Sequence, residues 1–226
     1  MKITNYGHSS FSVTAGGKKI LFDPFISGND LAKDINIDEI EADYIFVSHG
    51  HFDHILDVVA IAKRTGATVV ASFELYSYFS KEGISNVFPL GTGGKHDFDF
   101  GTAKGVVAHH SSSFPDGSYA GAAEGFVLKT ADGNFYYSGD TALTYDMNFI
   151  PKFAALDFAV FPIGDTTTMG VEDAIEAAGL VKVKKVFGVH YDTLPFLKLD
   201  KSRALSKFKD AGIELFLPEI GETFEI

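Results

Sequence analysis

The stretch Ser48-His49-Gly50-His51-Phe52-Asp53-His54 places four potential metal ligands within six residues. Neutral imidazoles and carboxylates are the usual nitrogen and oxygen ligands of zinc and similar divalent ions. In an extended loop, residues two apart point to the same side, so His49 and His51 can converge on one ion. Asp53 and His54 follow where a helix is predicted to begin, and a turn there can direct both to a second ion. A chance H-x-H-x-D-H pattern is expected about once in a thousand such chains, which disfavours a polar loop whose histidines only bond the backbone.

The sequence on both sides of this loop alternates between strand and helix patterns. A short apolar run at residues 43–47 predicts a buried strand, and helical spacing at residues 55–64 predicts a helix that Gly66 ends. Each half of the chain runs from strand-rich sequence into strand–helix units. This order predicts one domain, residues 1–226, with two stacked mixed sheets and outer helices. Further strands are predicted at 2–6, 10–15, 19–22, 68–71, 104–108, 126–129, 135–137, 158–161, 185–189, 213–217 and 223–226, and further helices at 74–81, 172–180 and 201–209.

More ligands are needed than the loop supplies, since a catalytic ion takes about three protein donors and a water. Three candidate positions follow predicted strands downstream, namely His109-His110, Asp140 and His190. Open sheets bind ligands at such strand ends. Each position alone is a weak signal, because a single His there is more often structural and Asp140 alone reads as a turn residue or helix cap. Their coincidence with the first motif favours a shared site.

Composition narrows the classes of function. Lys and Arg number 19 against 30 Asp and Glu, giving a net charge of −11, so no basic face for nucleic acid is expected. The chain has no cysteine, which excludes disulfides, thiolate metal sites and a cysteine nucleophile. No apolar run approaches the 18 residues of a membrane span, and the N-terminal residues lack the apolar core of a signal peptide. We therefore expect a cytoplasmic protein without membrane or nucleic-acid partners.

The ordered set of H-x-H-x-D-H, His, Gly-Asp and His resembles the metallo-β-lactamase superfamily, and these motifs run from residue 49 to 190. Gly7-His8-Ser9-Ser10, Phe22-Asp23-Pro24-Phe25 and Pro162-Ile163-Gly164-Asp165 narrow the likeness to small, single-domain metal-dependent hydrolases related to the ascorbate-6-phosphate lactonase branch. The resemblance implies a four-layer αββα sandwich, two mixed β-sheets flanked by helices, with a dinuclear site at one edge.

The resemblance also implies a role for each motif residue. His49, His51 and His110 would hold a first ion. Asp53, His54 and His190 would hold a second, with Asp140 bridging the two. His109 is the alternative to His110, which is chosen because it precedes a run of small residues. Zinc is the preferred metal of the two divalent ions, with manganese, iron, nickel or cobalt as alternatives.

Three departures exclude branches of the superfamily. Position 51 is His, where redox members carry Glu, and the antibiotic-degrading subclass with a Cys ligand is excluded because the chain has no Cys. The chain after His190 is too short for the helical domain of glyoxalase II or the nucleic-acid-binding insertions of RNA-processing nucleases.

The function expected is hydrolysis of an ester, lactone or phosphodiester small-molecule substrate by a metal-bridged hydroxide. Asp53 would orient that nucleophile and accept a proton. His8 is the candidate proton donor to the leaving group, the alternative being a packed hairpin residue. Asp23 and Asp165 each read either as partners that fix a ligand imidazole or as turn residues.

Other classes of function remain open at this point. The main alternative is a metal-binding protein of the same fold without hydrolytic turnover. A Ser–His hydrolase that uses one of the serines at 111–113 beside His110 is disfavoured, because no G-x-S-x-G elbow is present. Residues 111–123 and 24–34 are candidate lips over the site. A homo-oligomer is compatible with the resemblance, but no residue pattern predicts its surface.

Overall fold

The computed structural model describes all residues, 1–226, as fourteen strands and six α-helices. Three short 3-10 segments, at Asp30–Ala32, Ile37–Glu39 and Tyr145–Phe149, lie in the connections. The strands are β1 (Lys2–Gly7), β2 (Ser10–Ala15), β3 (Lys18–Phe22), β4 (Tyr44–Phe46), β5 (Thr68–Ala71), β6 (Val87–Pro89), β7 (Lys95–Phe98), β8 (Gly101–Val107), β9 (Glu124–Thr130), β10 (Gly133–Tyr137), β11 (Phe158–Pro162), β12 (Lys185–Val189), β13 (Glu214–Phe216) and β14 (Thr223–Glu225). The helices are α1 (Phe52–Ile55), α2 (Val58–Thr65), α3 (Phe73–Lys81), α4 (Ile150–Phe153), α5 (Val171–Val181) and α6 (Lys201–Asp210).

The strands form two seven-stranded sheets, in the orders β14-β1-β2-β3-β4-β5-β6 and β13-β12-β11-β10-β9-β8-β7. In the first sheet β14, β1, β2 and β3 pair antiparallel, and β3 to β6 pair parallel. In the second sheet β7 to β10 pair antiparallel, and β10 to β13 pair parallel. Both sheets are therefore mixed, as the strand–helix order predicts.

Apolar side chains fill three layers of core. One cluster lies between the sheets and is rich in phenylalanine, with Phe11, Phe22 and Phe126 fully buried. The second packs the outer face of the second sheet against α5 and α6, and the third packs the first sheet against α2 and α3. Burying each such phenylalanine contributes about 1.5–3 kcal/mol. The result is the four-layer αββα sandwich expected from the sequence.

The prediction of one helix over residues 55–64 is wrong in the extent of that helix. Two helices, α1 and α2, replace it, with a break at Leu56-Asp57. Asp57 is buried, and its carboxylate accepts hydrogen bonds from the backbone N–H of Ile26 at 2.6 Å and of Ser27 at 2.9 Å. Its own N–H donates to Pro24 at 3.0 Å. These long-range bonds divide the helix and tie the loop after β3 to it.

Two features of the topology were absent from the sequence prediction. The short strand β6 extends the first sheet at one edge, and β14 returns to pair with β1 at the other. This return brings the first and last residues together, where Met1 N donates to the Ile226 carbonyl at 3.3 Å. None of the helices combines the length and the apolar character needed to cross a bilayer.

Candidate metal centre

The predicted ligands lie where strands end. β4 leads into the loop with His49 and His51, β10 into Asp140 and β12 directly into His190. The β1–β2 connection brings His8 to the same place, because the His190 N–H donates to the His8 carbonyl at 2.9 Å. Both sheets thus contribute to one cluster of side chains.

A first group of ligand atoms comes from His49, His51 and His110, which all lie within 4.8 Å of one another. His49 Nε2 is 2.9 Å from His51 Nδ1. His109 lies outside this group, since its side chain is 58% exposed and its Nε2 is 3.4 Å from Asp146. The geometry therefore favours His110 over His109 as the candidate ligand.

A second group consists of Asp53, His54 and His190 together with His8, again within 4.8 Å. His8 Nε2 is 3.0 Å from Asp53 Oδ2, and the His8 ring lies 4.2 Å from that of His190. The motif at residues 7–10 predicts that His8 lies near the chemistry, but no sequence signal places it inside a ligand group. Burial, followed by the neighbouring His190, lowers the pKa of His8 to about 4.

Asp140 lies between the two groups. Its Oδ2 is 2.9 Å from His190 Nε2 and 3.2 Å from His54 Nε2, both in the second group. The same oxygen is 3.7 Å from His110 Nε2 in the first group. Although burial opposes its ionisation, His190 and His54 hold the pKa of Asp140 well below its usual range.

A buried carboxylate, Asp23, organises the cluster from behind. It accepts hydrogen bonds from Ser48 N–H at 2.7 Å, Ser48 Oγ at 2.5 Å, His54 Nδ1 at 2.8 Å and the Tyr137 hydroxyl at 2.5 Å. Of the two interpretations of Asp23, contact with a candidate ligand imidazole is the one observed. Tyr137 was missed, because its position at the end of a strand carries no sequence signal for its partner.

The hydrogen bonds to Asp23 set the tautomers of two histidines. Ser48 donates its hydroxyl proton to Asp23, so its oxygen accepts from His49 Nδ1 at 3.0 Å. His54 donates from Nδ1 to the same carboxylate. Both imidazoles therefore direct the Nε2 lone pair toward the cluster, as metal-bound histidines do.

The buried atoms of the cluster fit divalent cations. Asp140 Oδ1 is buried without a hydrogen-bond partner in the protein, and His54 Nε2 forms no hydrogen bond of good geometry although Asp140 Oδ2 lies 3.2 Å away. Leaving such a group unpaired costs about 1–3 kcal/mol, more when it is charged. Without a cation, Asp140 and Asp23 hold the pKa of His54 well above its usual range against the effect of burial. A bound cation would balance the negative charge of Asp140 and Asp23.

Left-handed backbone recurs at the cluster. His8, Asp23 and His190 have φ values of +54°, +40° and +58°. Non-glycine residues rarely adopt this region, and such strain concentrates at functional sites. The backbone at residue 164 also lies so close to that of His190 that only glycine fits there. A Cβ on Gly164 would lie 2.0 Å from the His190 carbonyl oxygen.

The other predicted residues have local partners. Asp165 accepts from Thr166 N–H at 2.8 Å within its own turn, so the turn interpretation of this residue holds. Ser111 Oγ lies 3.4 Å from His51 Nε2, while Ser112 Oγ accepts from Gly50 N–H at 3.1 Å. The second bond ties the loop at residues 111–123 to the histidine loop.

Comparisons with known proteins agree with this fold. A family profile described as a beta-lactamase superfamily domain matches residues 18–191. A protein of Christiangramia forsetii, a UPF0173 metal-dependent hydrolase, is 48% identical over 227 residues and covers 100% of both chains. A protein of the same name from Thermus thermophilus is 40% identical over 226 residues, covering 100% of this chain and 99% of the relative.

Solved structures give the same result. Igni18, a metallo hydrolase from the archaeon Ignicoccus hospitalis, superposes with a TM-score of 0.88 at 31% identity, covering 100% of this chain and 98% of its own. An isothiocyanate hydrolase from Delia radicum gut bacteria has a TM-score of 0.80 at 19% identity, covering 100% and 99%, which shows the shared fold.

The fold and the cluster together define a metal-dependent hydrolase of the metallo-β-lactamase superfamily. Within that class, the chain belongs to the UPF0173 family of metal-dependent hydrolases.

Proposed function

We propose that the chain is a dinuclear hydrolase that cleaves an ester, lactone or phosphodiester bond in a small molecule. The observation that carries this proposal is the position of Asp140, whose Oδ2 lies within 3.7 Å of candidate ligands in both groups. A carboxylate shared between two ligand groups suits two ions close together better than one. Because the cluster draws on both sheets, the proposal treats residues 1–226 as a single domain.

The residues that would hold the ions are those named by the resemblance: His49, His51 and His110 for one, and Asp53, His54 and His190 for the other, with Asp140 between them. Imidazole with carboxylate suits zinc and also manganese, iron, nickel or cobalt. Divalent ions bound there would lower the pKa of a bound water toward neutrality and polarise the bond to be cleaved.

The protein's own groups would orient the reaction. Asp53 is held by His8 Nε2 at 3.0 Å, and this contact keeps one carboxylate oxygen in a fixed direction. Asp53 is the proposed acceptor of the nucleophile's proton. His8 is retained as the candidate donor to the leaving group, because its Nε2 contacts Asp53 Oδ2 inside the second ligand group. This contact argues against the alternative of a merely packed hairpin residue.

Metal content per chain is the experiment that tests the dinuclear proposal. Protein purified without an affinity tag or chelator should contain about two equivalents of a transition metal. His49→Ala should release metal, and a matched exposed change, His96→Ala, should not. One equivalent or none after reconstitution would contradict the shared position of Asp140 between two ions.

Turnover separates the proposal from its alternative. The metal-loaded protein is tested on an aryl ester, a lactone and bis(4-nitrophenyl) phosphate. Hydrolysis of one of them that is lost with a chelator and restored by metal supports the enzyme. Two bound ions with no turnover on any would favour the metal-binding protein without hydrolytic activity, and turnover that survives metal removal would favour the serine alternative.

A further inference from the structure

A cavity of about 450 Å³ lies beside the second ligand group. His8 and Tyr191 line it, and Tyr191 directly follows His190 in the chain. Its volume falls in the range of small-molecule pockets, roughly 300–1,000 Å³. His8 therefore belongs both to the second ligand group and to the lining of this cavity.

Two lysines line this cavity, although the chain carries a net charge of −11. Lys198 donates to the Asp192 carbonyl at 3.3 Å, which uses one of its three ammonium protons. Lys201 lies over the Tyr191 ring, with its Nζ 5.5 Å from the ring centroid. Both ammonium groups keep protons available for a ligand.

The carboxylates that also line the cavity are poorly placed to neutralise these lysines. Asp192 uses Oδ1 to accept from the Leu199 N–H at 3.0 Å, within its own loop. The Glu219 side chain is 85% exposed, and its Oε1 is 4.0 Å from Lys201 Nζ, beyond hydrogen-bond distance. A ligand anion can therefore compete for Lys201 at little cost, because an ion pair exposed to this extent contributes little to stability.

We propose that this cavity binds an anionic group of the substrate, a carboxylate or a phosphate, through Lys198 and Lys201, while the bond to be cleaved lies at the metal centre. The inference rests on the proposed function, because it assigns the substrate's two ends to neighbouring sites. It narrows the substrate to a small ester, lactone or phosphodiester that carries a second, uncleaved negative group.

Two esters that differ only at the tail test the proposal. Mono-4-nitrophenyl glutarate ends in a carboxylate, and 4-nitrophenyl valerate ends in a methyl group at the same position. We expect the metal-loaded protein to show a higher kcat/KM for the glutarate ester. The double variant Lys198→Ala/Lys201→Ala should lower the glutarate-to-valerate ratio about tenfold, since charge-assisted hydrogen bonds to the anion are lost.

The matched control is Lys184→Ala/Lys209→Ala, which removes the same two charges at exposed positions away from the cavity. It should keep the wild-type ratio. A ratio that is unchanged by the cavity variant, or that falls equally in the control, overturns the proposal.

Binding provides a readout that does not require turnover. Butyl phosphate and glutarate are titrated separately into the metal-loaded protein and both variants by calorimetry, which also distinguishes phosphate from carboxylate. Binding of either that weakens about tenfold only in the cavity variant supports the lysine site. Equal binding by all three proteins, or none, overturns it. A protein that binds the anion through the lysines yet hydrolyses no ester, lactone or phosphodiester would contradict the proposed function instead.

Discussion

At the scale of single residues, Asp23 determines which ring nitrogens of His49 and His54 face the cluster. This one buried carboxylate accepts hydrogen bonds from Ser48, His54 and Tyr137. Through Ser48 it also orients the His49 ring. One candidate ligand from each group is thereby held in the tautomer that exposes its Nε2 lone pair. The tautomer of one histidine in each ligand group therefore depends on Asp23, which belongs to neither group.

Asp23→Asn should weaken metal binding about 10–100-fold, as expected when a carboxylate that supports a ligand imidazole is lost. Tyr137→Phe removes only one hydrogen bond to the same carboxylate and should have a smaller effect. Competition with a chromophoric chelator measures both affinities. Wild-type affinity in Asp23→Asn would show that the tautomers are set without this carboxylate.

Asp53→Ala should lower kcat roughly 10²–10⁴-fold, the range for loss of a general base. The variant should still fold, because Asp53 is not part of the apolar core. Initial rates on the best ester or phosphodiester, together with far-UV circular dichroism, measure the two effects. Asp210→Ala, an exposed change at the end of α6, is the matched control. Wild-type turnover in Asp53→Ala would exclude this residue from the reaction.

At the scale of elements, the sequence predicts most strands and helices correctly, because their apolar periodicity is local. The prediction fails where the local structure depends on a partner that is distant in the chain. The helix break at Asp57 depends on backbone groups of Ile26 and Ser27, thirty residues away in the chain. The contacts that favour His110 over His109 likewise come from the neighbours Asp140 and Asp146, which no spacing rule identifies.

Another element-scale feature is Glu124, the first residue of β9, which is buried while its N–H donates to the Ser48 carbonyl at 3.0 Å. Burial raises the pKa of its carboxyl well above the usual range. The folded protein thus keeps a proton that the unfolded chain loses near pH 4.3. Stability attributable to this group is highest below that pH and falls as the pH rises toward the folded-state pKa.

Glu124→Gln should therefore raise the Tm at pH 8 and change it little near pH 4. Each pKa unit of elevation corresponds to about 1.4 kcal/mol, or roughly 3–5 °C for a domain of this size. Thermal unfolding of both proteins across pH 4–8 measures the difference. A difference in Tm that is constant with pH would mean that the carboxyl ionises normally.

At the scale of the whole molecule, the candidate metal centre draws its side chains from both sheets, so bound metal should stabilise the complete fold. Ligand at 100 times its Kd adds about 2.7 kcal/mol to the free energy of unfolding, or roughly 5–10 °C in Tm. Differential scanning fluorimetry with zinc or manganese, before and after a chelator, measures the shift. His49→Ala should lose much of it, and an equal shift in that variant would place the stabilising metal elsewhere.

The pairing of β14 with β1 also gives the molecule a mechanically weak direction. The two strands run antiparallel with Lys2 opposite Glu225, so both chain ends emerge on the same side. A force applied to these ends loads the hydrogen bonds one after another, as in a zipper, rather than all at once. On the side of residue 1 the force next peels β1 from β2 and then reaches the turn with His8, so pulling in this direction would disturb one edge of the candidate metal centre early.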